Sequence, residues 1–166
     1  MREGKQQKIT PKQYMRLQRL LHLFLLAAPS TLGLLAYYQS EGIQVNFSGS
    51  GDVFIFIVPV MALACYFGSM YVFRQQLRKV LEGESLRLKL ARYQSANIIR
   101  YAFLEGSALL AVLAFMQNSY LLYLLIALLL VIYLIHLRPT KERLLNELPL
   151  TSEEKRRFAN ENHILE

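Results

Sequence analysis

The sequence predicts an all-α, polytopic membrane protein with four transmembrane helices in a bundle, and three observations predict it. Four apolar stretches, roughly residues 17–38, 53–73, 98–116 and 120–137, are each long enough to cross a hydrocarbon core of ~30 Å at ~1.5 Å per residue. All 19 Lys and Arg residues fall before or at the start of the first stretch, around the junction of the second and third, or after the fourth. The connections on the other side carry Glu41 and Asp52 and no basic residue. Hydrocarbon offers no water to backbone N–H and C=O groups, so the stretches are helices. Basic residues stay inside, so the N-terminus, the middle loop and the tail are expected in the cytoplasm.

The first element begins at Thr10-Pro11-Lys12-Gln13. Thr10 can cap, Pro11 suits the first helical position and Gln13 completes a capping box. From there one helix runs into the first span, where Pro29 is expected to kink it. No small-x-small site follows that span, so it is read as an uncleaved anchor rather than a signal peptide. Residues 39–52 form the outer loop. Ile43, Val45 and Phe47 alternate there as in a short extended segment, and Asn46-Phe47-Ser48 is a glycosylation sequon in form. The second span holds Cys65, the only cysteine, which excludes an internal disulfide and a cysteine metal site.

Between the second and third spans, Leu77, Leu81, Leu86, Leu88 and Leu90 recur at helical spacing, broken only by Glu82-Gly83-Glu84-Ser85. The two spans are therefore expected to continue as a helical hairpin over about residues 74–97, turning at Gly83. Past the fourth span, Arg138-Pro139-Thr140 marks the exit. Two short helices are predicted beyond it, one from Thr140 and one capped by Thr151 with Glu154, lying on the membrane face or against the hairpin. The division is a transmembrane domain, 1–137, and a cytoplasmic tail, 138–166. Tyr37, Tyr38, Phe54, Tyr120 and Tyr123 mark one membrane interface, and Tyr71, Phe73, Tyr101 and Tyr133 the other.

The net charge of +7 would point to nucleic acid in a soluble chain. Here the charges are juxtamembrane, so anionic lipid headgroups are the expected partner and nucleic acid is not.

Within the spans one residue is costly. Glu105 lies in the third, and an ionised carboxylate left in lipid costs about 2.5–3.5 kcal/mol or more. Ala102/Gly106 and Ser107/Ala111 are small pairs four apart, a spacing that lets helices or copies of the chain approach closely. Glu105 is expected to turn into the bundle beside Ala102 and Gly106, in a cluster with Tyr101, His22 or Arg74. His22 and His136 resemble a haem-binding pair only in being histidines on two spans; no companion motif accompanies them, and no cofactor is expected. No Ser-His-Asp order, paired intramembrane acids, phosphate loop or metal-ligand set is present, so an enzyme is not expected.

The stretch 92–150 contains Arg100-Tyr101-Ala102-Phe103-Leu104-Glu105-Gly106 and Leu137-Arg138-Pro139-Thr140-Lys141-Glu142-Arg143. It resembles a group of small four-helix bacterial inner-membrane proteins of unknown function, sometimes labelled transporters of the major facilitator type. The hairpin is also distantly similar to the proteolipid subunit of rotary ATP synthases, where the second helix bears an essential carboxylate, as Glu105 would here. The resemblance implies a bacterial inner membrane. Together these readings point to a non-enzymatic subunit or assembly partner of a membrane complex, docking through hairpin and tail. The alternative is a small oligomeric transporter with Glu105 as its proton-coupling or substrate site.

Overall fold

The computed structural model describes residues 10–45, 51–81 and 83–160. The sequon at 46–48 lies outside them. Six helices follow in order: α1 Pro11–Gln39, α2 Phe54–Arg78, α3 Leu86–Asn118, α4 Leu121–His136, α5 Lys141–Glu147 and α6 Ser152–Ala159. No strand occurs among the described residues; Gln44 and Tyr120 form one isolated bridge.

Local chemistry sets the helix starts. The Thr10 hydroxyl accepts from the Gln13 N–H, and the Gln13 side chain accepts from the Thr10 N–H. Ser85 caps α3, Thr140 caps α5, and Thr151 with Glu154 closes a second capping box on α6. Each cap satisfies donors that the first helical turn leaves free. Between α3 and α4, Ser119 takes a left-handed conformation, φ 53°.

Helices α1, α2 and α3 are long and apolar enough to cross a membrane, which marks the chain as a membrane protein. A fourth crossing is reached only by counting α4, of 16 residues, with α5, which bends away from it by 84°. Exposed Phe24, Leu34, Phe56, Val60, Phe67 and Leu129 give these helices an apolar exterior, as a bilayer requires.

The axle of the bundle is α3. Half of its most apolar 18-residue stretch is buried, against 17% for the corresponding stretches of α1 and α2. It packs on α1, α2 and α4, whereas α1 and α2 pack on it rather than on each other. Gly33 of α1 brings that helix close to α3, where an added Cβ would lie 3.5 Å from Val112.

Three buried clusters stack along the axle. The first, at the end carrying the α3–α4 turn, contains Val58, Val112, Phe115 and Tyr123. The middle one contains Tyr101, Leu104, Leu130 and Leu134. The third lies at the basic end and joins Tyr14, Phe73, Leu90 and Tyr93 to Leu144, Leu148, Leu150 and Phe158. Residues 138–160 thus share a core with the ends of α1, α2 and α3. Phe158 is fully buried, its ring edge-on to Tyr14 at 6.3 Å, a burial that contributes about 2–3 kcal/mol.

Candidate functional site

Glu105 is half-buried at the edge of the packed face of α3, and no hydrogen bond or ion pair among the described residues joins it to Tyr101, His22 or Arg74. The buried face of α3 runs through Tyr101, Leu104, Ser107, Ala108, Ala111 and Phe115. Gly106 is ~200° around the helix from Leu104, on the opposite side. Both Ala102 and Gly106 are exposed, and a Cβ added at Gly106 would meet nothing within 4 Å. Within the chain Ser107 and Ala111 pack, and Ala102 and Gly106 do not. Glu105 is half-buried beside this open face and forms none of the ion pairs among the described residues. The physical reason is the order of neighbours around α3. Helices α1, α4 and α2 cover three sides and leave the side between α1 and α2 open.

His22 and Tyr101 do come together, away from Glu105. Their rings meet edge to face at 5.0 Å. His22 Nε2 donates to the Leu134 carbonyl at 2.8 Å, and the Tyr101 hydroxyl donates to the Leu137 carbonyl at 3.1 Å. Arg143 of α5 reaches the His136 carbonyl at 3.1 Å. These carbonyls lie at the end of α4, where the helix leaves acceptor capacity free; that of Leu134 also accepts from the Leu137 N–H at 3.0 Å. The histidine of α1, the tyrosine of α3 and the arginine of α5 therefore fasten the exit of α4, where the chain turns.

Arg74 lies elsewhere again. It lines a cleft of about 430 Å³ at the basic end, with Arg100, Arg143, Tyr133 and Glu147. Arg100 is 7% exposed; its guanidinium stacks on Phe73, 4.7 Å from the ring centroid, and donates to the Tyr133 hydroxyl at 3.2 Å. Its Nε is buried without a partner. Neither Arg100 nor Arg143 stands out in the sequence as more than part of a basic flank. The one available signal is that Arg100 sits on the buried stripe, between Asn97 and Leu104.

Two further polar groups follow the same pattern. Lys89 is fully buried on that stripe, its Nζ 3.0 Å from both Glu154 carboxylate oxygens. Burial raises the Glu154 carboxyl, but the Thr151 backbone N–H and the Lys89 ammonium more than offset this, leaving it below the usual carboxylate range. At the far end, Asp52 accepts from the Phe54 N–H, the Asn118 side chain and the Tyr123 hydroxyl, tying the start of α2 to the α3–α4 turn.

No protein-family model matches the chain, and neither a curated protein nor a solved structure matches it.

Proposed function

We propose that this protein is a non-enzymatic, four-span subunit or assembly partner of a membrane complex, joined to its partner through the open face of α3. The observation that carries this reading is Glu105. It lies about 10 Å into the apolar stretch of α3, half-buried at the edge of the open face and in none of the ion pairs among the described residues. A carboxylate there is costly unless something meets it. Exposed Ala102 and Gly106 leave room beside it for a helix backbone. A helix from a partner chain or a second copy would fill the side between α1 and α2 and offer Glu105 a donor.

In this reading α4 is the fourth span. Its 16 residues cover ~24 Å, and Tyr120 and Leu137 extend it toward both interfaces. The basic end, with hairpin and tail, faces the cytoplasm because all Lys and Arg lie there. The resemblance to small four-helix bacterial inner-membrane proteins supports a bacterial plasma membrane. Hairpin and tail, fused into one surface, would serve as the cytoplasmic docking face.

The test is assembly in the native membrane after gentle solubilisation. Gly106→Leu is expected to abolish the larger species, and Glu105→Gln to weaken it about three- to tenfold. Both variants are expected to melt as the native chain does, because a Cβ at Gly106 meets nothing within 4 Å and Glu105→Gln keeps the size of a side chain that forms no ion pair among the described residues. An assembly indifferent to both changes would contradict the reading. The intramembrane acid also favours a second reading, a small oligomeric transporter. There Glu105→Gln would abolish transport and leave assembly intact.

A further inference from the structure

The arginine cleft has chemistry that neither helix packing nor assembly uses. Three guanidiniums line it, those of Arg74, Arg100 and Arg143, against one carboxylate, Glu147. That carboxylate is already engaged. One oxygen accepts from Arg143 Nε at 2.9 Å and the other from the Tyr93 hydroxyl at 2.8 Å. Nothing among the described residues neutralises Arg100, which is more than nine-tenths buried with an orphaned Nε. A buried guanidinium held flat by an aromatic ring, with a free donor and two neighbours of like charge, calls for an anion with several acceptor oxygens.

A second feature adjoins the cleft. Tyr133 also lines an almost wholly apolar groove of about 450 Å³ between α2 and α4, with Pro59, Leu63, Tyr66, Ile126 and Leu129. The Tyr66 and Tyr133 rings lie 4.8 Å apart at the junction. From Tyr133 to Ile126 the groove follows about 10 Å of α4. The cleft sits at the ends of α2 and α4, at headgroup depth in the membrane placement proposed above, and the groove runs from there into the hydrocarbon.

We propose that cleft and groove together bind one anionic phospholipid, its phosphate among Arg74, Arg100 and Arg143 and one acyl chain along the groove. A phosphate diester supplies the counter-charge that Arg100 lacks among the described residues and acceptor oxygens for the exposed Arg74, and guanidiniums pair with phosphate in two-pronged fashion. A free phosphate would satisfy the arginines and leave the groove unused. The size of each part lies within the range of small-molecule sites.

The test uses the full chain purified in a non-ionic detergent, with melting followed on addition of dioleoyl-phosphatidylglycerol, dioleoyl-phosphatidylcholine or inorganic phosphate. Phosphatidylglycerol is expected to raise the Tm saturably, and the other two are not. Arg74→Gln should weaken that response about tenfold while leaving the lipid-free Tm unchanged, since Arg74 is exposed and makes no ion pair among the described residues. Ala62→Phe, which fills the groove, should weaken it with all arginines intact. Should that variant melt early without lipid, Leu63→Trp, at an exposed groove position, takes its place. Equal stabilisation by phosphatidylcholine would overturn the proposal, as would an equal shift from inorganic phosphate alone. So would native-like lipid binding by both the Arg74 and the groove variants. The assembly test on α3 touches neither cleft nor groove, so the two readings fail separately.

Discussion

Lys89 and Glu154 show how much a single pair can hold in this chain. The ammonium is fully buried and the carboxylate 16% exposed, and they lie 65 residues apart in sequence. Replacing Glu154 with Gln would leave Lys89 buried without its counter-charge. We expect a loss at the lower end of about 3–5 kcal/mol, since Glu154 keeps some water, seen as release of the tail in hydrogen exchange. The pH dependence has a definite sign. Because the folded Glu154 carboxyl is lowered, its contribution is present above the unfolded value of about 4.3. It fades as pH falls through the folded value, so tail protection in the native chain should drop with acid below about pH 4. The Glu154→Gln variant should lack that dependence. Tail protection that is flat with pH in both chains would exclude the pair as the latch. Glu105 is visible in the sequence because an acid in an apolar run has no neutral explanation. Lys89 is not, because a lysine among basic neighbours looks solvated and its partner is far along the chain.

At the scale of an element, α4 depends on what fastens its end. His22 and Arg143 bond carbonyls in its last turn, and Tyr101 bonds that of Leu137 just past it. Tyr101→Phe keeps the ring and deletes only the hydroxyl. It is expected to cost about 1–3 kcal/mol, and His22→Ala somewhat more because the contact with Tyr101 goes too. Both are readable by denaturant titration in detergent micelles. Losses under about 0.5 kcal/mol for both would mean that water satisfies these carbonyls instead. Helix starts are readable in the sequence because a cap is local chemistry: Thr10 with Gln13, and Thr151 with Glu154, act within one turn. The rotation of α3 about its axis is a different matter. It follows from the order of α1, α4 and α2 around it, which no local pattern encodes. Both Ala102/Gly106 and Leu104/Ala108 have the spacing of a packing stripe, and only the second is buried.

At the scale of the molecule, one helix organises everything else. Its lower turns carry the tail through Lys89, Leu90 and Tyr93, its middle carries α4 through Tyr101 and Leu104, and its upper turns meet α1 at Val112. That α3 starts well before its apolar stretch, at Leu86, is readable in the sequence, from leucines at helical spacing among charges. That two short helices follow and can lie against this extension is readable too, from the caps at Thr140 and Thr151; which residues seal the contact is not, because Phe158 meets Tyr14 and Glu154 meets Lys89 across long stretches of chain.

The proposed fourth span requires the hairpin tip and the tail to share one side of the membrane, opposite Ser40, and the proposed topology puts that side inside the cell. The most direct measurement is labelling of single cysteines in intact cells with a membrane-impermeant maleimide, in a Cys65→Ala background. Ser40→Cys is expected to label, and Ser85→Cys and Asn160→Cys only after the membrane is opened. Labelling of Ser85→Cys or Asn160→Cys in intact cells would contradict the proposed topology.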